Sequence, residues 1–307
     1  MFGRGGELPE SIVLRDVTLR DGLQDEAPIP TEHKLVIFDA LVAAGVRELE
    51  LTSFVRPDRV PAMADADAFC AATASADVVR WGLVLNRRGV ERALASGLRH
   101  LQFVVSVSDT HSRGNAGAGA SEALEALEAS MAPALAEGAT VEVTLATAFG
   151  CPYERVVEPQ RVVEFARRVA DAGAASVGLA DTIGVAVPTE VAALTTAVVA
   201  AMAEQGRPVS VGAHLHDTRG LAIANALAAI GNGATRLDAA VGGLGGCPFA
   251  PGASGNVPIE DLAHAFEAMG VNTGLSVPGL VEAAGLACDA VGRGVASAVG
   301  IAGPRFL

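Results

Sequence analysis

The sequence predicts a (β/α)8 barrel on three observations. Short β-rich runs alternate with helical stretches along almost the whole 307-residue chain, giving eight strand-then-helix units. No composition break, repeat, low-complexity tract or linker divides them. The unusual polar residues fall where the strands end: Arg20-Asp21, Glu50 with Thr52, Asp181-Thr182, His214 and His216. A closed parallel barrel collects its chemistry at that rim. A doubly wound open sheet is the competing arrangement, but no Gly-x-Gly-x-x-Gly follows the first strand.

Ile12 to Leu19 is the first β-rich run, and it leads into Arg20-Asp21-Gly22-Leu23-Gln24. Thr31 caps the first helix, which runs through Ala44 and stops at Gly45. Val46–Thr52 is the second strand and Pro61–Ala76 the helix after it. Further strands lie near Val79–Leu85, His100–Val107, Thr140–Ala146, Ser176–Leu179, Val209–Leu215 and Leu237–Val241. Their helices lie near Arg88–Ser96, Ser121–Glu137, Pro159–Ala172, Pro188–Glu204, Leu221–Asn232 and Pro258–Met269. Gly97, Gly138, Gly173, Gly206, Gly233 and Gly270 stand at helix ends, where a left-handed residue closes the last turn. The reading is one domain, with the barrel over about 12–270 and a helical extension over about 277–307 that begins with Val277 to Gly300.

Charge and composition remove several classes of function. A net charge of −13 and no basic, aromatic-interleaved run argue against nucleic acid, whose phosphates need a basic face. No apolar stretch reaches the ~18 to 20 residues of a membrane span. Met1 to Glu10 lacks the layout of a signal peptide. Four cysteines with no Cys-x-x-Cys pair give no disulfide framework, so a reduced, cytoplasmic protein is expected.

The chemistry centres on His214-Leu215-His216-Asp217, which closes an apolar strand. Residues two apart on a strand share a face, so both imidazoles project together. Asp21 offers a carboxylate across the barrel mouth, and Asn256 can add an amide oxygen. Two imidazoles and two oxygens suit a divalent Lewis acid: Mg²⁺ or Mn²⁺ by the oxygens, with Zn²⁺ allowed by the imidazoles. Beside Asp21, Arg20 presents a planar fork of donors suited to a developing enolate oxygen, or else forms a salt bridge to Glu50 or Asp16 that only braces the barrel. Gly242 to Asn256 is dense in glycine, as in a flap over a site. Cys247 in its middle has little core to fill and can transfer a proton. Cys70, Cys151 and Cys288 read as packing residues, and His111 as a loop residue near the pocket.

Six segments occur in a telling order: Arg20-Asp21-Gly22-Leu23-Gln24, Thr52-Ser53-Phe54-Val55, Phe149-Gly150-Cys151-Pro152-Tyr153-Glu154, Asp181-Thr182-Ile183-Gly184, His214-Leu215-His216-Asp217-Thr218 and the Cys247 loop. Together they resemble the 3-hydroxy-3-methylglutaryl-CoA lyase family over about 14–260, within the barrel superfamily of metal-dependent lyases and aldolases. The resemblance implies metal ligation by Asp21, His214, His216 and Asn256. It implies that Arg20 steadies a thioester enolate, that Cys247 and His214 serve proton transfer, and that Asp16, Glu50, Asp181 and Glu260 are site or supporting carboxylates. A homodimer is implied in the same way. The chain departs from the family pattern at Thr18-Leu19 (usually Gly-Pro), Asp25 (Asn), Asp58 (Lys), Gly178 (Ser) and Arg219 (Tyr).

The expected reaction is metal-dependent retro-Claisen cleavage of a 3-hydroxy-3-methylglutaryl-CoA-like thioester to acetyl-CoA and a keto acid. Arg56, Arg59, Arg87, Arg88 and Arg113, in loops near the barrel mouth, are candidates to hold the anionic CoA. Three rivals stand beside this reading. One is a condensing enzyme joining acetyl-CoA to a 2-oxo acid, which the Thr-Leu-Arg-Asp start favours. Another is a CoA-independent aldolase for hydroxy-oxo acids. The third is a non-catalytic barrel scaffold.

Overall fold

A computed structural model describes residues 8–246 and 255–305, and eight parallel strands close into a barrel in sequence order. The strands are β1 Val13–Asp16, β2 Glu48–Ser53, β3 Val79–Leu83, β4 His100–Ser106, β5 Thr140–Ala146, β6 Ser176–Asp181, β7 Ser210–Leu215 and β8 Arg236–Ala239. Closure is made by β1 on β8, in register from Val13 opposite Arg236 to Asp16 opposite Ala239. Around them run α1 Thr31–Ala43, α2 Ala66–Ala72, α3 Arg87–Ala95, α4 Asp109–Ala116, α5 Ala120–Ala136, α6 Pro159–Asp171, α7 Pro188–Ala203, α8 Ala222–Ile230 and α9 Ile259–Ala268. Two more, α10 Val277–Val291 and α11 Ala298–Ala302, form the extension.

Strand β5 shows how the sequence sorts its side chains. Val141, Val143 and Leu145 join the apolar core packed between sheet and helices. Each such fully buried aliphatic contributes roughly 1.5–3 kcal/mol. On the alternate face Glu142 points into the bore, where it meets Arg15 of β1 at 2.8 Å and Ser176 of β6 at 2.6 Å. Arg236 of β8 reaches the same carboxylate at 2.8 Å, and Asp238 accepts two bonds from Arg15 at 3.0 and 2.8 Å. The lower bore is therefore an ion cluster of two arginines and two carboxylates, not the branched aliphatic filling common in such barrels. Burying any one of these charges alone would be costly, so the four are tolerated only as a mutually paired set.

Several boundaries differ from expectation for identifiable reasons. The first strand ends at Asp16, and Thr18–Gly22 forms one wide π-helical turn, so Arg20 and Asp21 sit on that turn instead of on the strand. Such turns recur at functional sites because the extra residue re-aims neighbouring side chains. Thr31 is the first helical residue and not a cap; its hydroxyl donates to Asp65 at 2.8 Å. The span 61–76 divides into a short 3-10 turn at Pro61–Met63 and α2. His111 lies in the helix α4 and not in a loop, because Ser108 Oγ accepts the His111 N–H at 3.2 Å and starts the helix there. The extension is two helices, because Gly292 adopts φ +68° after α10. It packs over the base of the glycine loop: Gly242 has φ +64°, and a Cβ there would come within 2.5 Å of Cys288 Sγ. Among the described residues no helix is long and apolar enough to cross a membrane.

Candidate active site

Three segments converge at the C-terminal rim. β7 delivers His214, and His216 follows just beyond it; their Nε2 atoms face each other at 3.1 Å. From the end of β1, the π-helical turn brings Asp21, whose Oδ2 lies 3.8 Å from His214 Nε2 and 3.9 Å from His216 Nε2. Asn256 is pinned beside His216 by an antiparallel bridge, and its Nδ2 donates to Asp21 Oδ2 at 2.7 Å and to the Leu244 carbonyl at 3.1 Å. Its Oδ1 is buried with no hydrogen-bond partner. The approach is close enough that a Cβ at Gly255 would collide with the Gly243 carbonyl oxygen.

Asp21, His214 and His216 are a group that could hold a metal ion, with ligand atoms all within 4.8 Å of one another. Two facing imidazole nitrogens, a carboxylate and an unpartnered amide oxygen together fit a divalent cation. The local charges favour that use. Burial alone would raise the pKa of Asp21, yet Arg20 and the two imidazoles outweigh it and hold the carboxyl at about 2, so it stays anionic. Burial, with repulsion from His214, pushes His216 down to about 4, which leaves it neutral at pH 7. For His214, burial is outweighed by the carboxylates of Asp238 and Asp21, and its pKa rises.

Arg20 is buried between two carboxylates. Its Nη2 donates to Glu50 Oε2 at 2.7 Å and its Nη1 to Asp21 Oδ1 at 2.5 Å, while Nε has no partner. The guanidinium, Asp21 and both imidazoles border a cavity of about 320 Å³, shared with His111, Thr144 and Thr182. Arg20 is thus braced by Glu50, lines the cavity, and has a buried Nε without a hydrogen-bond partner.

The other predicted site residues are dispersed. Glu50 is fully buried behind Arg20. Asp181 accepts the backbone N–H groups of Val185 at 2.9 Å and Ala186 at 3.0 Å, fixing the loop after β6 while its neighbours Ala180 and Thr182 face the cavity. Glu260 opens α9 and accepts the Gly242 N–H at 2.9 Å; burial pushes its pKa up to about 7. Asp16 accepts the Thr18 N–H at 3.0 Å and its hydroxyl at 2.8 Å, and burial raises it also to about 7. Both carboxylates therefore anchor turns that carry the site. Cys247 lies outside the described residues. Cys70 and Cys288 are buried thiols pushed up to about 12 and about 11. Cys151 does more than pack: its sulfur lies 3.0 Å from Ser108 Oγ and accepts the Tyr153 N–H at 3.4 Å.

A pH prediction follows from Glu260. Its folded pKa lies above that of the unfolded chain, so its contribution is fully present below about pH 4.5 and is lost as pH rises through about 7. In Glu260→Gln that loss is absent. Melting curves at pH 5 and pH 8 should show the variant gaining on the wild type as pH rises; a constant difference would contradict the buried acid.

A second, larger groove of about 1130 Å³ adjoins the cavity, with Val55, Val60, Leu85 and Asn115 bordering both. Arg56, Arg59, Arg88 and Arg113 line it, together with Arg92, which the sequence reading did not single out. Arg87 is outside the lining and pairs with Glu91 on the surface of α3 at 2.9 Å. Arg56 pairs with Asp58 at 2.5 Å. Sequence reasoning also missed Asp238, 3.4 Å from His214 Nδ1. Its signal was the alternation Arg236-Leu237-Asp238, which puts two charges on one face of an otherwise apolar strand.

Fold and rim chemistry define a (β/α)8 barrel with a metal-competent site at its C-terminal face. The chain belongs to the HMGL-like family, which it matches over residues 11–286. It is 40% identical to the (R)-citramalyl-CoA lyase of Chloroflexus aurantiacus, over 97% of this chain and 96% of that one. With a hydroxymethylglutaryl-CoA lyase of Bacillus subtilis it shares 37% identity, over 90% and 92% of the two chains. A solved HMG-CoA lyase from Acinetobacter baumannii, in complex with coenzyme A and 3-methylmalate, superposes with a TM-score of 0.90 at 33% identity, covering 97% of this chain and 96% of that one. These relatives are carbon–carbon lyases.

Proposed function

We propose that the protein cleaves a 3-hydroxyacyl-CoA of the 3-hydroxy-3-methylglutaryl-CoA type to acetyl-CoA and a keto acid, using a divalent metal. The observation that carries this is the meeting of Asp21, His214 and His216, with Asn256 hydrogen-bonded to Asp21, at a cavity that Arg20 also lines. A cation on those ligands, Mg²⁺ or Mn²⁺ by its oxygens, would supply Lewis acidity toward the substrate hydroxyl and its neighbouring oxygen.

The chain's own groups account for the remaining requirements. The C3 hydroxyl loses its proton as C3 becomes a carbonyl; the resemblance assigns that proton to His214, which faces Asp238 through Nδ1 and so can take it only on an Nε2 that is not holding the cation. The C2–C3 electron pair moves onto C2 and its thioester oxygen, where the Arg20 guanidinium is our candidate to donate to the enolate. Glu50 holds that guanidinium in place through Nη2. Cys247 is our candidate to return a proton to C2. The groove with Arg56, Arg59, Arg88, Arg92 and Arg113 supports the assignment of an anionic CoA handle. We also read the enzyme as cytoplasmic and, by family resemblance, as a homodimer.

A second acyl group has support of its own. Citramalyl-CoA carries its carboxylate on the hydroxyl-bearing carbon, and hydroxymethylglutaryl-CoA carries it one methylene further out; the bond cleaved is the same. The 40% relative favours the former. Offering both thioesters and following acetyl-CoA and the keto acid by mass spectrometry tests the activity and ranks the substrates. Failure to cleave either, with CoA released instead from acetyl-CoA and a 2-oxo acid, would favour the condensing rival. In the groove, Arg88→Ala with Arg113→Ala should raise KM for the thioester by about tenfold or more with little change in kcat, the pattern of lost ground-state binding. An unchanged KM would place CoA elsewhere.

A further inference from the structure

The two candidate metal-binding imidazoles are not equally supported. His216 Nδ1 is buried without a hydrogen-bond partner. His214 Nδ1 faces Asp238 Oδ2 at 3.4 Å, and β7 and β8 place these two residues opposite each other in register. We propose that Asp238 is a positioning residue: it accepts the His214 Nδ1–H, fixes the tautomer that leaves Nε2 bare toward Asp21, and so sets the affinity of the rim for a divalent cation. The inference rests on the metal reading given above and adds a residue that neither ligates nor lines the cavity.

The ion cluster in the bore explains how Asp238 can do this. An isolated carboxylate at this depth would take up a proton and lose its preference for an N–H donor. Asp238 instead receives Arg15 Nε at 3.0 Å, Arg15 Nη2 at 2.8 Å and Arg236 Nε at 3.2 Å. These three donors offset the cost of burying its charge and leave it an acceptor. Arg15 is held on its other side by Glu142, and Arg236 likewise. The orientation of a rim histidine is thus tied to Asp238 and to the arginines that donate to it. Carboxylates behind metal-bound imidazoles act in this way generally, and their loss lowers metal affinity by about 10- to 100-fold.

Calorimetric titration of the full-length protein with Mn²⁺ tests this, alongside thermal melting of each variant. Asp238→Asn should weaken Mn²⁺ binding by about 10- to 100-fold. Glu142→Gln, which loosens the same cluster without touching His214, should lower the melting temperature yet keep the dissociation constant within about threefold of wild type, as expected when the ligands' own partners are kept. Because Asp238→Asn can fail to fold, side-chain ¹⁵N spectra of the metal-free wild type provide an independent reading. They should show His214 protonated on Nδ1, the nitrogen that faces Asp238. Binding by Asp238→Asn equal to wild type, or a His214 protonated on Nε2 alone, overturns the role of Asp238 and leaves the metal site intact. No Mn²⁺ binding by the wild type overturns the metal reading and this inference with it.

Discussion

Arg20→Gln is expected to lower kcat by about 10²- to 10³-fold, the usual consequence of removing a donor from an oxygen on which charge develops. Arg20 is suited to that task by its surroundings. Glu50 and Asp21 occupy Nη2 and Nη1, so the guanidinium cannot swing away from the cavity it lines, and its Nε is buried without a partner. Glutamine cannot reproduce a charged donor at that depth. Steady-state kinetics on the preferred thioester decides the matter. If kcat falls less than about fivefold while stability drops, Arg20 is only a brace for Glu50.

Asp21→Ala should have the larger effect, since it removes the one anionic member of the candidate ligand set. Loss of the ion's charge stabilisation is worth several kcal/mol, which corresponds to about 10³-fold or more in turnover. The same variant should bind Mn²⁺ too weakly to titrate at micromolar protein. It also unties Gln24 and Asn256, which donate to Asp21 at 2.9 and 2.7 Å, so a modest loss of stability accompanies it. Turnover within tenfold of wild type would remove Asp21 from the reaction.

How much of this was legible in the sequence differs between the fold and the site. The barrel could be read because strand and helix periodicities alternate without interruption and because glycines mark the helix ends; Gly97, Gly138, Gly173, Gly206, Gly233 and Gly270 all adopt positive φ. Local spacing also sufficed for His214 and His216, whose shared face follows from the strand repeat. The turn at Thr18–Gly22 could not be read, because propensity sees a β-rich run and nothing local announces the extra residue. The division at Pro61–Met63 and the helix α4 were lost similarly, to turn chemistry. Long-range charge pairing is beyond any local pattern: Arg15 and Asp238 are 223 residues apart. Function had to be read differently again. Asp181 looks like a site carboxylate from its position at the rim and Glu260 from the family resemblance, while the structure shows both accepting backbone N–H groups of loops.

Anomalous diffraction from crystals equilibrated with Mn²⁺ addresses the metal-bearing rim directly. The account predicts one strong peak within bonding distance of an Asp21 oxygen, both Nε2 atoms and Asn256 Oδ1. A peak elsewhere, or none at millimolar Mn²⁺ with the rim otherwise unchanged, would contradict it.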